Sequence, residues 1–440
     1  VLLLLLACKT PVGSLDCTAT ASDTMTLGVS VDWTTDADAT SYVEFGTDDH
    51  YPFSTPTVTG ADVHLDLIGL PEDTDVHWRA VSTLPDGSTS ECTGVTRNGA
   101  LPDGMPELSV NIDKAGQDAA KFLIGAMFEG AGGTGAQVRL VAVNRAGDIV
   151  WYFLGDEDAT GLDLHYARDG SGLFYNVYPG QMGGDNATIH KISLMGEELG
   201  EWSTPTAHHM FTELPDGTLA WQGIDVRSYT DPDSGETSDW VGDTIVETTK
   251  DGVNTTVLTT WDILTAHSNE RSDGVSIYGG TDWTHGNNLR YLDDTDEYLL
   301  SLGHADDILF IDRETAAVNT IYGLDGLPAS PQFDYQHDVN LLPDGNLLMF
   351  MTEPDTSGAV EYEVTDSGLE EVWRGPEGQR PLALGQARRL ENGNTLVNAG
   401  AGNDIYEVTP DTEMVWRLSS DEAGTIFGQF QLLDSLYDGD

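Results

Sequence analysis

The chain has 440 residues, 39% of them hydrophobic and 10 of them tryptophan. That is enough apolar material for about two to four packed domains, and it excludes a disordered acidic polymer. Its 19 Lys+Arg against 74 Asp+Glu leave a formal net charge of −55, spread along the chain rather than gathered in a tail. Such a solvated acidic surface excludes nucleic acid and anionic lipid headgroups as partners. It suits a saline setting, where charge is screened within about 8 Å or less.

The first residues, VLLLLLACKT, carry an apolar run from Leu2 to Ala7 that ends at Cys8. The run resembles the lipobox of bacterial lipoproteins, in which the cysteine is lipidated. Residues 1–8 are therefore expected to be a lipoprotein signal remnant, with the protein exported and lipid-anchored at the bacterial cell envelope, in the periplasm or on the outer surface. The alternative is an ordinary signal peptide, which also means export. No segment approaches the roughly 18 apolar residues of a membrane span, so membrane contact is expected only through the lipid. With Cys8 lipidated, Cys17 and Cys92 remain as a pair, and an oxidising compartment allows them to bridge. The absence of a Cys-x-x-Cys pair argues against a thiolate zinc centre.

Residues 9–103 show short alternating strands, TLGVSVDW, SYVEFG, VHLDLIGL and VHWRAVS, broken by turn residues. This pattern predicts a small seven-stranded β-sandwich that resembles a fibronectin type III module, a spacer or docking domain without chemistry. His50, His64 and His77 read as surface or structural residues. GALPDGMP (99–106) reads as a linker.

From 104 to 440 the chain repeats. HMFTELPDGTLAW from His209 and HDVNLLPDGNLLMF from His337 place the same turn five residues after the histidine, and GQARRLENGNTLV from Gly385 follows 48 residues beyond His337. HGNNLRYLDDTDEYLLSL from His285 and LHYARDGSGLFYNV around His165 are variants. Outer strand pairs ending near Trp, such as VNRAGDIVWYF and YEVTPDTEMVWRL, complete each unit. Units near 122–153, 162–202, 208–263, 285–322, 337–374 and 385–417 predict an all-β, six-bladed propeller. FGQFQLL (427–433) is expected to pair into the first blade and close the ring, and the insert at 225–243 to form a loop over one face.

The inner strands of a propeller line its channel. His209, His285 and His337 stand at the starts of three consecutive inner strands, with His208 beside the first and His304 on the strand behind the second. Three readings follow: polar strand ends that bind channel water, an imidazole site for a transition metal, or a nucleophilic imidazole with two charge-binding partners. DPDSGE (231–236) lacks a full calcium loop and reads as surface acid, although structural calcium stays open.

The ordered pieces AHHMFTELPDGT, DWTHGNNLRY, LLSLGHADDILFID, FDYQHDVNLLPDGNLLMF and GQARRLENGNTLVNAGAGNDIYEV resemble the bacterial arylsulfotransferases, over roughly 107–440. These are PAPS-independent enzymes with a six-bladed propeller behind a small β-domain. The resemblance implies His337 as nucleophile, taking a sulfuryl group from an aryl sulfate and passing it to a phenol, with His209 and His285 catalytic beside it. It implies His208, His304 and Asn287 as substrate-binding residues, no metal and no cofactor. Two departures are visible. Gly303 replaces the arginine of the family's Ser-x-Arg-His strand, so Arg290, Arg388 or Arg389 is expected to substitute, and Phe350-Met351-Thr352-Glu353 replaces a Phe-Asp-Asn stretch. The competing class is a weak or inactive propeller that binds a ligand or partner at the cell surface.

Overall fold

The computed structural model describes residues 13–114, 121–129, 137–232, 234–266, 278–323, 335–352, 357–366, 368–376, 384–420 and 425–437. Cys8 lies outside them. The fold is nearly all β, with six small sheets arranged in a ring as a six-bladed propeller. The blades follow the Pro-Asp-Gly and Asn-Gly turns. Each turn closes an inner hairpin by a bond such as Gly217 N–H to the Leu214 carbonyl or Gly345 N–H to the Leu342 carbonyl, with the glycines at φ +80° and +90° where a Cβ is disfavoured.

The ring is clasped twice. Thr425–Leu433 pairs with Phe122–Glu129 as the innermost strand of the first blade, as expected. Leu108–Asp113 pairs with Met414–Ser420 as the outermost strand of the last blade. The first and last strands of the propeller segment thus cover sheet edges that would otherwise recruit other chains. The insert at 225–243 is no loop. It continues the paired strands Leu219–Thr230 and Thr237–Thr248 as a hairpin past the blade, and Thr281–Asp282 pairs beside it in parallel. Trp240, Ala266 and Trp283 bury themselves along it, so hydrophobic packing turns an acidic insert into a wall.

The small domain in front is one seven-stranded sheet curled into a half-barrel. Its continuity comes from Val29–Gly46, which pairs with Cys17–Ala21 and Val58–Leu67 along its first half and with Asp75–Thr83 along its second. The two faces of the expected sandwich are therefore halves of one sheet. Val29, Val31 and Trp33 alternate inward onto Val63, Leu65 and Trp78. Tyr437, near the chain end, donates its hydroxyl to the Asp66 carbonyl (2.7 Å) and so ties this sheet to the propeller.

Cys17 and Cys92 form a disulfide, with Cα atoms 6.3 Å apart across a sequence separation of 75. His50, His64 and His77 pair with Asp48, Asp32 and Asp49 at the surface of this domain. Cys92→Ser is expected to cost the small domain about 2–4 kcal/mol. Unfolding followed with and without reductant checks this, and an unchanged midpoint would mean that the bridge adds nothing.

Candidate functional site

The inner strands Ala207–Glu213, Gly286–Leu292 and Gln336–Leu341 start at one mouth of the channel. At each start the ladder is irregular: register shifts fall between Ala207 and Phe211, Gly286 and Asn288, and His337 and Asn340. His209, His285 and Asp338 hold left-handed φ values of 53°, 48° and 53°. Non-glycine residues in this region cost of order 1–3 kcal/mol each and tend to cluster where the backbone is held for function. The three histidines therefore reach the centre by different backbone routes. His209 and His285 are themselves left-handed, whereas His337 precedes the left-handed residue.

They do converge. The His209 ring centroid lies 5.0 Å from that of His285 and 6.1 Å from that of His337. All three are buried, with 5%, 6% and 3% of their surface exposed, which leaves little water to level their chemistry. His304 stacks on His285 with centroids 4.4 Å apart, and its Nδ1 donates to the Asp282 carbonyl at 2.6 Å. Tyr335 lies against both rings.

The environments differ in sign. Burial opposes a charge on His285, but the Asp282 carboxylate, 2.6 Å from its Nδ1, and the nearby Asp243 outweigh that, so its pKa is raised. Burial also opposes ionisation of Asp282, yet His285, His304 and His208 keep its pKa below the usual range. Burial and the surrounding imidazoles push His209 well below the ordinary value. Burial carries His337 down to about 4 against the pull of Asp338, with His285 adding to the fall. The site thus sets His285, whose charged form Asp282 favours, beside His337, whose neutral form burial favours and whose buried Nδ1 has no hydrogen-bond partner among the described residues. Such a pair can serve as nucleophile and acid.

The other sequence-predicted residues stand behind this front. His208 is tied to His209 by an Nδ1–Nδ1 contact of 2.8 Å, and its Nε2 lies 2.9 Å from Asp243 Oδ1. Asn287 donates Nδ2–H to the Gln336 carbonyl at 2.8 Å, which fixes the strand that carries His337. A Cβ on Gly303 would meet Asn287 Nδ2 at 2.5 Å and Tyr335 Cε2 at 3.3 Å, so the place of the family arginine is filled by an aromatic ring and an amide. The expected substitute arginines are engaged elsewhere. Arg290 Nη2 donates to Asp338 Oδ1 at 2.8 Å, Arg388 binds Asp338 Oδ2, and Arg389 binds Glu361. Burial favours a neutral Asp338, but Arg388 and Arg290 hold its pKa at about 2. The cluster locks the strand bulge beside His337.

Asp243, Asp282, Tyr278 and Tyr335 are site residues that sequence reasoning missed. Tyr278 packs over His208 and His285, and its buried hydroxyl has no partner among the described residues. For a metal, Asp282, His285 and His304 offer ligand atoms within 4.8 Å of one another. The Nδ1 atoms of both histidines are already spent on Asp282, so the donor set is better satisfied as a hydrogen-bonded network than as a coordination sphere. A cavity of about 490 Å³ opens at the far ends of the inner strands, lined by Arg168, Arg388, Arg389, Glu213, Asp293 and Glu391 among others. Its charges are mixed, its arginines are engaged with acids, and none of the three converging histidines faces it.

Residues 133–327 match the arylsulfotransferase (ASST) family model. That segment carries His208, His209, Asp243, Asp282, His285 and His304 and ends before His337. No curated protein matches the chain. Among solved structures the chain is similar to a protein of unknown function from Bacteroides caccae, at 14% identity and a TM-score of 0.46, covering 72% of this chain and 100% of that one. A virginiamycin B lyase from Staphylococcus aureus is similar at 15% identity and a TM-score of 0.39, covering 71% and 88%. Likenesses at that level carry nothing about chemistry.

Proposed function

We propose that this protein transfers a sulfuryl group from an aryl sulfate to a phenol through a sulfo-histidine on His337. The observation that carries this reading is the convergence of three buried imidazoles, His337 with an unpartnered Nδ1 and His285 with the Asp282 carboxylate 2.6 Å from its Nδ1. The family match over 133–327 supports the same class and disfavours a purely ligand-binding propeller. The His337 lone pair attacks sulfur and an N–S bond forms as the aryl O–S bond breaks. The proton of His285 goes to the departing phenolate oxygen. An acceptor phenol then attacks the sulfuryl group, gives its proton to the histidine cluster and frees His337. In this reading His285 and the Tyr278 hydroxyl carry the charge of the sulfuryl oxygens where Gly303 has replaced the family's arginine.

The reading keeps the expectation of an exported protein anchored through Cys8, with the half-barrel as spacer. Among the described residues no helix is long and apolar enough to cross a membrane. The donor is an anion and the chain carries −55, so high ionic strength is the condition for a fair assay. Turnover of a chromogenic aryl sulfate with varied phenol is expected to give parallel double-reciprocal lines, the sign of a covalent intermediate. Absence of turnover, or intersecting lines, would count against it.

A further inference from the structure

His208 Nδ1 and His209 Nδ1 face each other at 2.8 Å, so one of the two must carry the proton and the other the lone pair. The far end of the chain of contacts decides which. Asp243 Oδ2 accepts the fixed Gly286 N–H at 2.7 Å and the Thr284 hydroxyl. Asp243 Oδ1 lies 2.9 Å from His208 Nε2, off the line of its N–H bond. A carboxylate so engaged has only lone pairs to offer, and it favours a proton on His208 Nε2. With that proton alone, His208 presents a bare Nδ1 to His209, and His209 is then the Nδ1–H tautomer. The other nitrogen of His209, Nε2, makes no hydrogen bond among the described residues. Gly286 is required here: a Cβ would stand 2.5 Å from Gln222 Nε2 and 2.7 Å from Asp243 Oδ1.

We propose that Asp243 and His208 are positioning residues that hold His209 with a bare Nε2, making it the proton acceptor for the incoming phenol while His285 is the donor to the departing one. This rests on the sulfuryl-transfer reading. In the second half-reaction the phenol oxygen forms an O–S bond and the His337 N–S bond breaks, its electron pair returning to the ring nitrogen. The phenol proton moves to His209 Nε2 and passes on to His285, which lost its own proton to the first phenol, so both rings return to their starting states. The two histidines, with rings 5.0 Å apart, thus divide acid and base work by their partners: Asp282 keeps one charged, and the Asp243–His208 relay keeps the other neutral and open.

Asp243→Asn tests the relay. Gly286 N–H and the Thr284 hydroxyl would hold the amide oxygen, so its NH2 would face His208 Nε2 and reverse both tautomers. Nitrogen-15 spectra of histidine-labelled protein, with His209 identified by loss of its signals in His209→Gln, are expected to show Nδ1–H in the wild type and Nε2–H in D243N. A wild-type His209 protonated on Nε2 overturns the proposal without any variant, and this is also what a doubly protonated His208 would produce. In rapid mixing, D243N is expected to reach the full amplitude of the phenol burst more slowly than the wild type, because Asp243 also favours the charged form of His285, so the second step is read on protein already loaded from the aryl sulfate. The loaded variant should transfer the group to un-ionised phenols roughly 10²-fold more slowly, with little loss for acceptors already ionised. Equal loss for both acceptor types in a D243N that keeps its burst also overturns the proposal. Failure of the wild type to show any burst would sink the sulfuryl-transfer reading instead, and the spectra would still report on the relay.

Discussion

His337→Ala is expected to abolish sulfuryl transfer, lowering kcat/KM by roughly 10⁴-fold or more, the scale seen when a covalent nucleophile is removed. The group lost is a neutral imidazole, 3% exposed, with a buried Nδ1 that has no hydrogen-bond partner among the described residues. The backbone that presents it is held independently, because Asp338 keeps its contacts with Arg290 and Arg388 whatever stands at 337. The variant should therefore fold with a thermal transition close to that of the wild type while making neither burst nor turnover. A variant that retained a phenol burst would show that another group accepts the sulfuryl.

The second large effect is a shift of the pH profile. In the proposed mechanism the rate requires a neutral His337, so activity should fall as pH drops toward about 4, where that ring protonates. It also requires protonated His285, so activity should fall on the alkaline side as pH rises through a pKa that lies above the ordinary 6.5. Asp282→Asn removes the carboxylate that offsets burial of His285. The alkaline limb should then move to lower pH, and activity at pH 8 should fall by roughly 10-fold or more. The same pair acts on stability with a definite sign. His285 has a raised folded pKa, so its contribution is fully present below its unfolded value and is lost as pH rises through the folded one. Asp282 has a lowered folded pKa, so its contribution is present above its unfolded value and is lost as pH falls through the folded one. In D282N both contributions disappear, most visibly in the window between the two unfolded values. An unmoved alkaline limb would mean that His285 is not the acid.

The propeller was legible because its signal is local and repeated. A turn five residues after a histidine, and strands that end near tryptophan, need no knowledge of distant contacts. The closing strand FGQFQLL could be read because an unpaired inner edge demanded one. The outer clasp, Leu108–Asp113, could not: its sequence reads as a strand, but nothing in it says which blade receives it. The insert at 225–243 looked like a polar loop because its acids outnumber its aromatics, yet Trp240 is 3% exposed and anchors it as sheet.

The three histidines were legible from shared position, and the structure brings them together. Their partners were hidden by composition. In a chain with 74 acids, Asp243 and Asp282 look like any others, and their burial at 2% and 1% emerges only when neighbouring strands meet around them. Asp282 left one trace, its place three residues before His285, where it accepts the His285 backbone N–H at 3.0 Å and then its Nδ1. Asp243 left none, because it sits at the end of an insert that reads as surface. The arginines misled for the same reason. Arg290 and Arg388 come from the inner strands on either side of His337, but the buried charge of Asp338 claims both.

The most direct test of the central claim is the mass of the protein itself. Wild-type chain mixed with an aryl sulfate at high ionic strength, without acceptor, and quenched under alkaline conditions should carry one added sulfuryl group on the peptide that contains His337. Added phenol should then remove it. A chain that turns over the donor yet never carries that mass, or carries it on a residue other than His337, would contradict the account.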